Sequence, residues 1–234
     1  MNQSEKRLFL IQSLLNERPS CQKQIIPADS ERQKILLRGL MNVRRAYPIG
    51  ANFLQTQDAY LQDETAAKGI TDIAGLTPIQ PGLYLWQGDI TTLKCDAIVN
   101  AANSGMTGCY IPNHRCIDNA IHTYAGVELR LACAELMEQQ GHPEPTGQAK
   151  ITPAFNLPCR YVLHTVGPII DGRVTKEDKE LLASCYRSCL ELAAEIAVRT
   201  VKEFFKKQTS VKKVIFNVFK DLDKAIYEKL LRAD

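Results

Sequence analysis

The chain reads as an α/β protein, a helical N-terminal region followed by a largely parallel or mixed sheet covered on both faces. Three observations predict this. Residues 1–75 place apolar side chains at helical spacing. From about residue 80, short apolar runs alternate with helical segments, and that order requires crossover connections between strands. Between them, Gly88 to His122 joins two strand ends to a cluster of metal-type ligands that leads straight into a helix.

The bulk numbers are those of an ordinary globular protein: 234 residues, 45% hydrophobic, 24% charged. A net charge of +3 is too small to argue for nucleic acid, and the basic run Lys202 to Lys213 is read as a solvated face. No apolar run approaches the ~18 residues that span a bilayer. The N-terminus alternates charged and apolar residues instead of forming a secretory signal. A cytoplasmic monomer is therefore expected, and its eight cysteines are read as thiols, not disulfides. Cys95, Cys133, Cys159, Cys185 and Cys189 sit among apolar residues as small core fillers.

In chain order, Phe9, Leu10, Leu14 and Leu15 form one helical stripe, with Ser4 as a candidate cap. Asp29-Ser30-Glu31 opens a second helix running to Tyr47, stopped by Pro48 and Gly50. Asn52 to Ala67 forms a third, ended by Gly69. This region is read as a helical layer that packs on the main domain. Leu83 to Trp86 and Ala97 to Val99 are strands; Ile117 to Gln140 is a helix stopped by Gly141. Ala149 to Ala154 and Tyr161 to Val166 are short strands. Lys213 to Phe219 is a strand rich in β-branched and aromatic residues, and Asp221 to Leu231 a closing helix. One stretch is anomalous. Lys176 to Lys207 has no Gly or Pro and reads as a single helix well beyond the usual ~8–20 residues. Two helices look fused near Glu195-Ile196, where a strand and its loop should intervene.

Ligands of α/β sheets bind at the carboxyl ends of strands. Asp89 follows the first strand and can accept from an exocyclic amine such as that of adenine, although Gly-Asp after a strand is also an ordinary Asx-capped turn. Asn103 follows the second strand and can both donate to and accept from ribose hydroxyls. Cys109-x4-His114-x-Cys116 offers thiolate and imidazole ligands suited to Zn²⁺, with no obvious fourth. His122 lies inside the helix and is expected to point away. Three ligands and an open position form a catalytic arrangement; the alternative is an unmetallated loop with two free thiols. Asp118, at the helix start, can cap the helix or meet a ribose or water. The same helix start favours an anion such as a diphosphate. His164, on a strand, is read as a satisfied core histidine, and His142 as a surface-loop residue.

Several separate segments resemble the macrodomain family of ADP-ribose-binding modules: Gly88-Asp89-Ile90-Thr91, Val99 to Asn103, Gly147 to Thr152, His164 to Pro168 and Ile117 to His122. Where common macrodomains have a glycine run, this chain has Gly108 to Cys116. Together with the helical extension, that replacement resembles the zinc-dependent microbial macrodomains. The resemblance implies a three-layer α/β/α sandwich with a mixed central sheet over residues 76–234, preceded by a helical extension over 1–75. It implies removal of single ADP-ribose groups from proteins, with zinc on Cys109, His114 and Cys116. Asp89 and the Ile90 backbone would meet adenine, Asn103 would hold the distal ribose, and Cys116, Ile117 and Asp118 would line its surroundings. Asn103 and Asp118 would be the catalytic residues. A lipoyl-carrier protein related to the glycine-cleavage H protein is the implied target, and a macrodomain-linked sirtuin the functional partner. Two other activities need the same pocket: non-catalytic reading of ADP-ribosylated proteins around a structural zinc, and deacetylation of O-acetyl-ADP-ribose. The chain departs from the family near residue 195. The strand and glycine-containing phosphate loop expected there are missing, either omitted from the sequence or deleted.

Overall fold

The computed structural model describes residues 1–18, 24–204 and 213–232. Three helices come first: α1 (Gln3–Asn16), α2 (Ser30–Val43) and α3 (Ala51–Lys68). The cap of α1 is Asn2, not Ser4. Asn2 accepts from the Glu5 amide at 2.9 Å, and the Glu5 carboxylate returns to the Asn2 amide at 2.7 Å. That reciprocal box satisfies two end donors at once, which a serine two residues deeper cannot do. Asp29 caps α2 as its sequence predicts, through the Arg32 amide at 2.8 Å. The helix ends at Val43 rather than Tyr47, because Arg44 leaves the helical path. Its guanidinium pairs with the Glu17 carboxylate at 2.7 Å and takes the carbonyls of Tyr47 and Pro48. The three helices enclose a core of Leu10, Ile11, Leu14, Leu37, Phe53, Tyr60 and Leu61 that also takes in Val127 from the main domain.

The strands are β1 (Thr71–Asp72), β2 (Leu83–Gln87), β3 (Leu93–Lys94), β4 (Ala97–Ala102), β5 (Ala149–Pro153), β6 (Tyr161–Val166) and β7 (Val214–Val218). The sheet is mixed. β6 runs parallel to β4 and antiparallel to β5, in the order β4-β6-β5. β2 and β7 form a separate parallel pair, as do β1 and β3. A second core fills the space under β4 and β6, with Ile98, Ile121, Leu129, Cys133, Leu157 and Val162 buried and Trp86 packed against them.

The single helix expected over Ile117 to Gln140 is two: α4 (Ile117–Ala125) and α5 (Val127–Gln140). Gly126, at φ 98° and ψ 177°, breaks it. A β-carbon there would stand 2.6 Å from the buried Gln57 side chain, whose Oε1 accepts from the Val127 amide at 2.8 Å. α6 (Lys176–Phe204) is one continuous 29-residue helix, and α7 (Asp221–Arg232) closes the fold. The expected end of the long helix at Lys207 falls on residues 205–212, outside the described residues. Among the described residues no strand lies between β6 and β7, and no helix is long and apolar enough to cross a membrane. The seven cysteines among the described residues are free thiols.

Candidate active and metal site

α4 packs against β4 and against the turn that follows β2. Asp89 opens a 3₁₀ turn over Ile90–Thr92. One carboxylate oxygen accepts from the Thr91 amide at 3.0 Å and hydroxyl at 2.6 Å. The other pairs with Lys68 Nζ at 3.0 Å, an ammonium that also lies 3.2 Å from the Tyr124 ring centre. Burial alone would raise this carboxyl, but the Thr91 hydrogen bond and the Lys68 contact outweigh it and hold it below the usual carboxylate range. Lys68 comes from the end of α3, and nothing in its local sequence announced that reach. Asn103 is folded onto its own loop, accepting from the Gly105 amide at 2.9 Å and donating to the Gly108 carbonyl at 3.1 Å. Ile90 packs beside the second core, and Ile117, the first residue of α4, is exposed.

Cys109, His114 and Cys116 do come together. Their ligand atoms all lie within 4.8 Å of one another, and Cys109 Sγ is 3.4 Å from His114 Nδ1. A tetrahedral zinc with its usual bond lengths sets neighbouring S and N ligands about 3.5 Å apart, so this spacing fits the ion. Burial and, to a lesser degree, the adjoining Cys109 raise the Cys116 thiol in the metal-free protein, a penalty that a divalent cation removes. Cys116 is also the cap of α4, its sulfur accepting from the Asn119 amide at 3.4 Å. No carboxylate or histidine joins these three as a fourth ligand among the described residues. His122 points elsewhere, toward a second group formed with Cys133 and His164. In that fully buried group burial pushes the Cys133 thiol up to about 12, and both His164 nitrogens are engaged by Asn100 and Thr152.

Asp118 is 5% exposed and accepts from Asn100 Nδ2 at 2.8 Å. Behind it, Asn100 also donates to His164 Nδ1 at 3.1 Å, and His164 Nε2 meets Thr152 Oγ1 at 2.9 Å. A carboxylate acceptor fixes which way the Asn100 amide faces. That in turn makes His164 a neutral ring with its proton on Nε2. Burial drives His164 down to about 4 and His122 well below its ordinary value, so neither offers Asp118 a positive partner. Burial raises the Asp118 carboxyl, while the Asn100 hydrogen bond and the Arg130 charge oppose the rise. Asn100 and His164 are parts of the site that sequence reasoning did not assign. They meet only because Asn100 and His164 are register partners across β4 and β6.

Comparison with known proteins identifies the family. A macro domain model matches residues 99–203. A protein-ADP-ribose hydrolase of Treponema medium is 53% identical over 260 residues, covering 99% of this chain and 100% of its own length. The chain belongs to the macrodomain family. A protein-ADP-ribose hydrolase of Staphylococcus aureus (strain MSSA476) is 45% identical over 253 residues, covering 97% of this macrodomain chain and 95% of its own. Among solved structures, the Oceanobacillus iheyensis macrodomain with MES bound matches at TM-score 0.53 and 34% identity, over 67% of this chain and 94% of that one. The Trypanosoma brucei macrodomain in complex with ADP matches at TM-score 0.55 and 25% identity, over 83% and 95%. The mixed sheet is thus that of a macrodomain. The Cys109 to Cys116 loop sits at the start of α4 within it.

Proposed function

We propose that this macrodomain is a zinc-dependent hydrolase that removes single ADP-ribose groups from a modified protein. The observation that carries the reading is the meeting of Cys109, His114 and Cys116 at the N-terminus of α4, two residues before the buried Asp118. The relatives' printed names support hydrolysis of protein-linked ADP-ribose. Zinc, when bound by these three residues, supplies Lewis acidity toward a substrate oxygen or an attacking water.

The chain's own residues do the rest. Asp89 and the Ile90 backbone receive the adenine end, and an incoming exocyclic amine must share or displace Lys68 on the Asp89 carboxylate. Asn103 turns from its loop contacts to the distal ribose hydroxyls and orients the anomeric carbon. Asp118, held by Asn100, positions a water and takes its proton. The N-terminal amides of α4 favour the diphosphate. A lipoyl-carrier protein related to the glycine-cleavage H protein as substrate, a macrodomain-linked sirtuin as the enzyme that installs the mark, and action in the cytoplasm complete the proposal. All three rest on the sequence resemblance.

We also read residues 1–75 as a helical extension and 76–234 as a macrodomain lacking one strand and its phosphate loop near Glu195. Two facts support this. α6 runs unbroken through that position, and the 260-residue alignment with the Treponema relative is longer than this 234-residue chain. If these residues are deleted and not merely omitted from the sequence, half of the phosphate cradle is gone and the diphosphate depends more heavily on α4.

The test is Cys116→Ala, followed by release of ADP-ribose from a modified carrier. Turnover should fall at least about a hundredfold, the scale of losing an electrostatic catalyst. Full turnover by a metal-free protein defeats the zinc role. Tight binding of ADP-ribose with no hydrolysis by the wild-type protein favours a reader, and faster attack on O-acetyl-ADP-ribose favours the deacetylase.

A further inference from the structure

The ligand loop is fastened from behind by the N-terminal helical layer. Arg38 of α2 donates through Nη2 to the backbone carbonyl of His114 at 3.0 Å and to Asn119 Oδ1 at 2.9 Å. Asn119 passes the connection on, donating to the carbonyls of Ile111 at 3.1 Å and Cys109 at 3.4 Å. One turn along α2, Asn42 Oδ1 accepts from the Asn113 amide at 2.9 Å, while its Nδ2 donates to Thr123 of α4 at 2.8 Å. Asn113 has φ 55°, a left-handed conformation that asparagine adopts more readily than other non-glycine residues. Between the two anchors α2 carries Gly39, where an added β-carbon would stand 3.0 Å from the Asn113 side-chain amide. The helix therefore presents a bare backbone at the point of closest approach and directed hydrogen bonds on either side. These contacts reach the backbone of one metal ligand and of the residue before it.

We infer that α2 is part of the metal centre. Arg38 and Asn42 are positioning residues that hold the Cys109–Cys116 loop in its ligating shape, with Gly39 providing the clearance. The inference rests on the zinc reading above. Its chemistry is that of supports behind metal ligands, whose loss typically weakens metal binding about 10- to 100-fold. The sign of the effect separates positioning from simple electrostatics. A guanidinium near a divalent cation repels it, so if charge alone mattered, removing Arg38 would tighten zinc binding. Positioning demands the opposite.

The experiment measures zinc affinity of the full chain by competition with a chromogenic chelator, for wild type, Arg38→Ala and Arg38→Lys. Hydrogen exchange of the α2 amides is followed with and without zinc. Arg38→Ala should bind zinc about tenfold more weakly. Arg38→Lys, which keeps the charge but loses the planar guanidinium whose Nη2 reaches both acceptors, should fall between it and wild type. Zinc should raise protection along α2 in wild type and lose that effect in Arg38→Ala. Arg38 is partly exposed, so its replacement leaves the apolar core intact, whereas Asn42 is 1% exposed and its variants serve only as support. Arg38→Ala that binds zinc as tightly as wild type, or more tightly, overturns the positioning role. Wild-type protein that takes up no zinc overturns the metal reading itself.

Discussion

Asn100 and His164 show how a single buried contact can decide the state of a distant side chain. The Asn100 amide spans Asp118 and His164, so the carboxylate on α4 and the imidazole on β6 constrain each other through one side chain on β4. The consequence for stability follows from His164. Its folded value lies near 4, well below the ordinary 6.5 of an unfolded histidine. On acidification the unfolded chain takes up the proton first. The stabilisation is full above pH 6.5 and is lost as pH falls toward 4, by on the order of 3 kcal/mol. Urea titrations at several pH values should show this loss, and His164→Gln should reduce it, the remainder coming from His122, which burial also holds well below its ordinary value. The site was partly legible at this scale. Asp118 and the three zinc-type ligands are close in sequence, so their spacing alone brought them together. Asn100, Lys68 and Arg38 act through space from other elements, and no local pattern marks them.

Helix boundaries depended on the same distinction. Asp29 and Gly69 marked their helix ends through local rules, a side-chain cap and a positive φ. Gly126 did not, because a glycine inside a helical pattern is often tolerated. Here its φ of 98° and the Gln57 side chain against it break the helix and set the angle between α4 and α5. Gly126→Ala should therefore cost on the order of 2 kcal/mol or more, read as a lower denaturation midpoint with an unchanged slope. The end of α2 tells a similar story. Arg130 of α5 donates to the carbonyls of Met41, Asn42 and Arg44 while lying over the Tyr110 ring. A cap supplied from 88 residues away, as measured from Asn42, cannot be seen in the local sequence.

Over the whole molecule, the fold class was legible because alternating strands and helices impose it, and the excessive length of α6 flagged the irregular region in advance. The open edge of the sheet was not. β4 carries no charge and no proline, and among the described residues its only ladder partner is β6. The outer strand β5, by contrast, bears Lys150 and Pro153, the usual protection of an edge. Val99 of β4 is 43% exposed, in a strand built like an interior one. Light scattering should find association that rises with protein concentration, and Val99→Lys should suppress it; a wild-type protein that stays monomeric at every concentration would count against an open edge. The seam between α2 and the ligand loop bears on modularity. On the zinc reading proposed above, transplanting Gly108 to Cys116 into a macrodomain that lacks this helical layer would move the ligands without their scaffold, and metal binding would be a property of two layers that must be inherited, or engineered, as a pair.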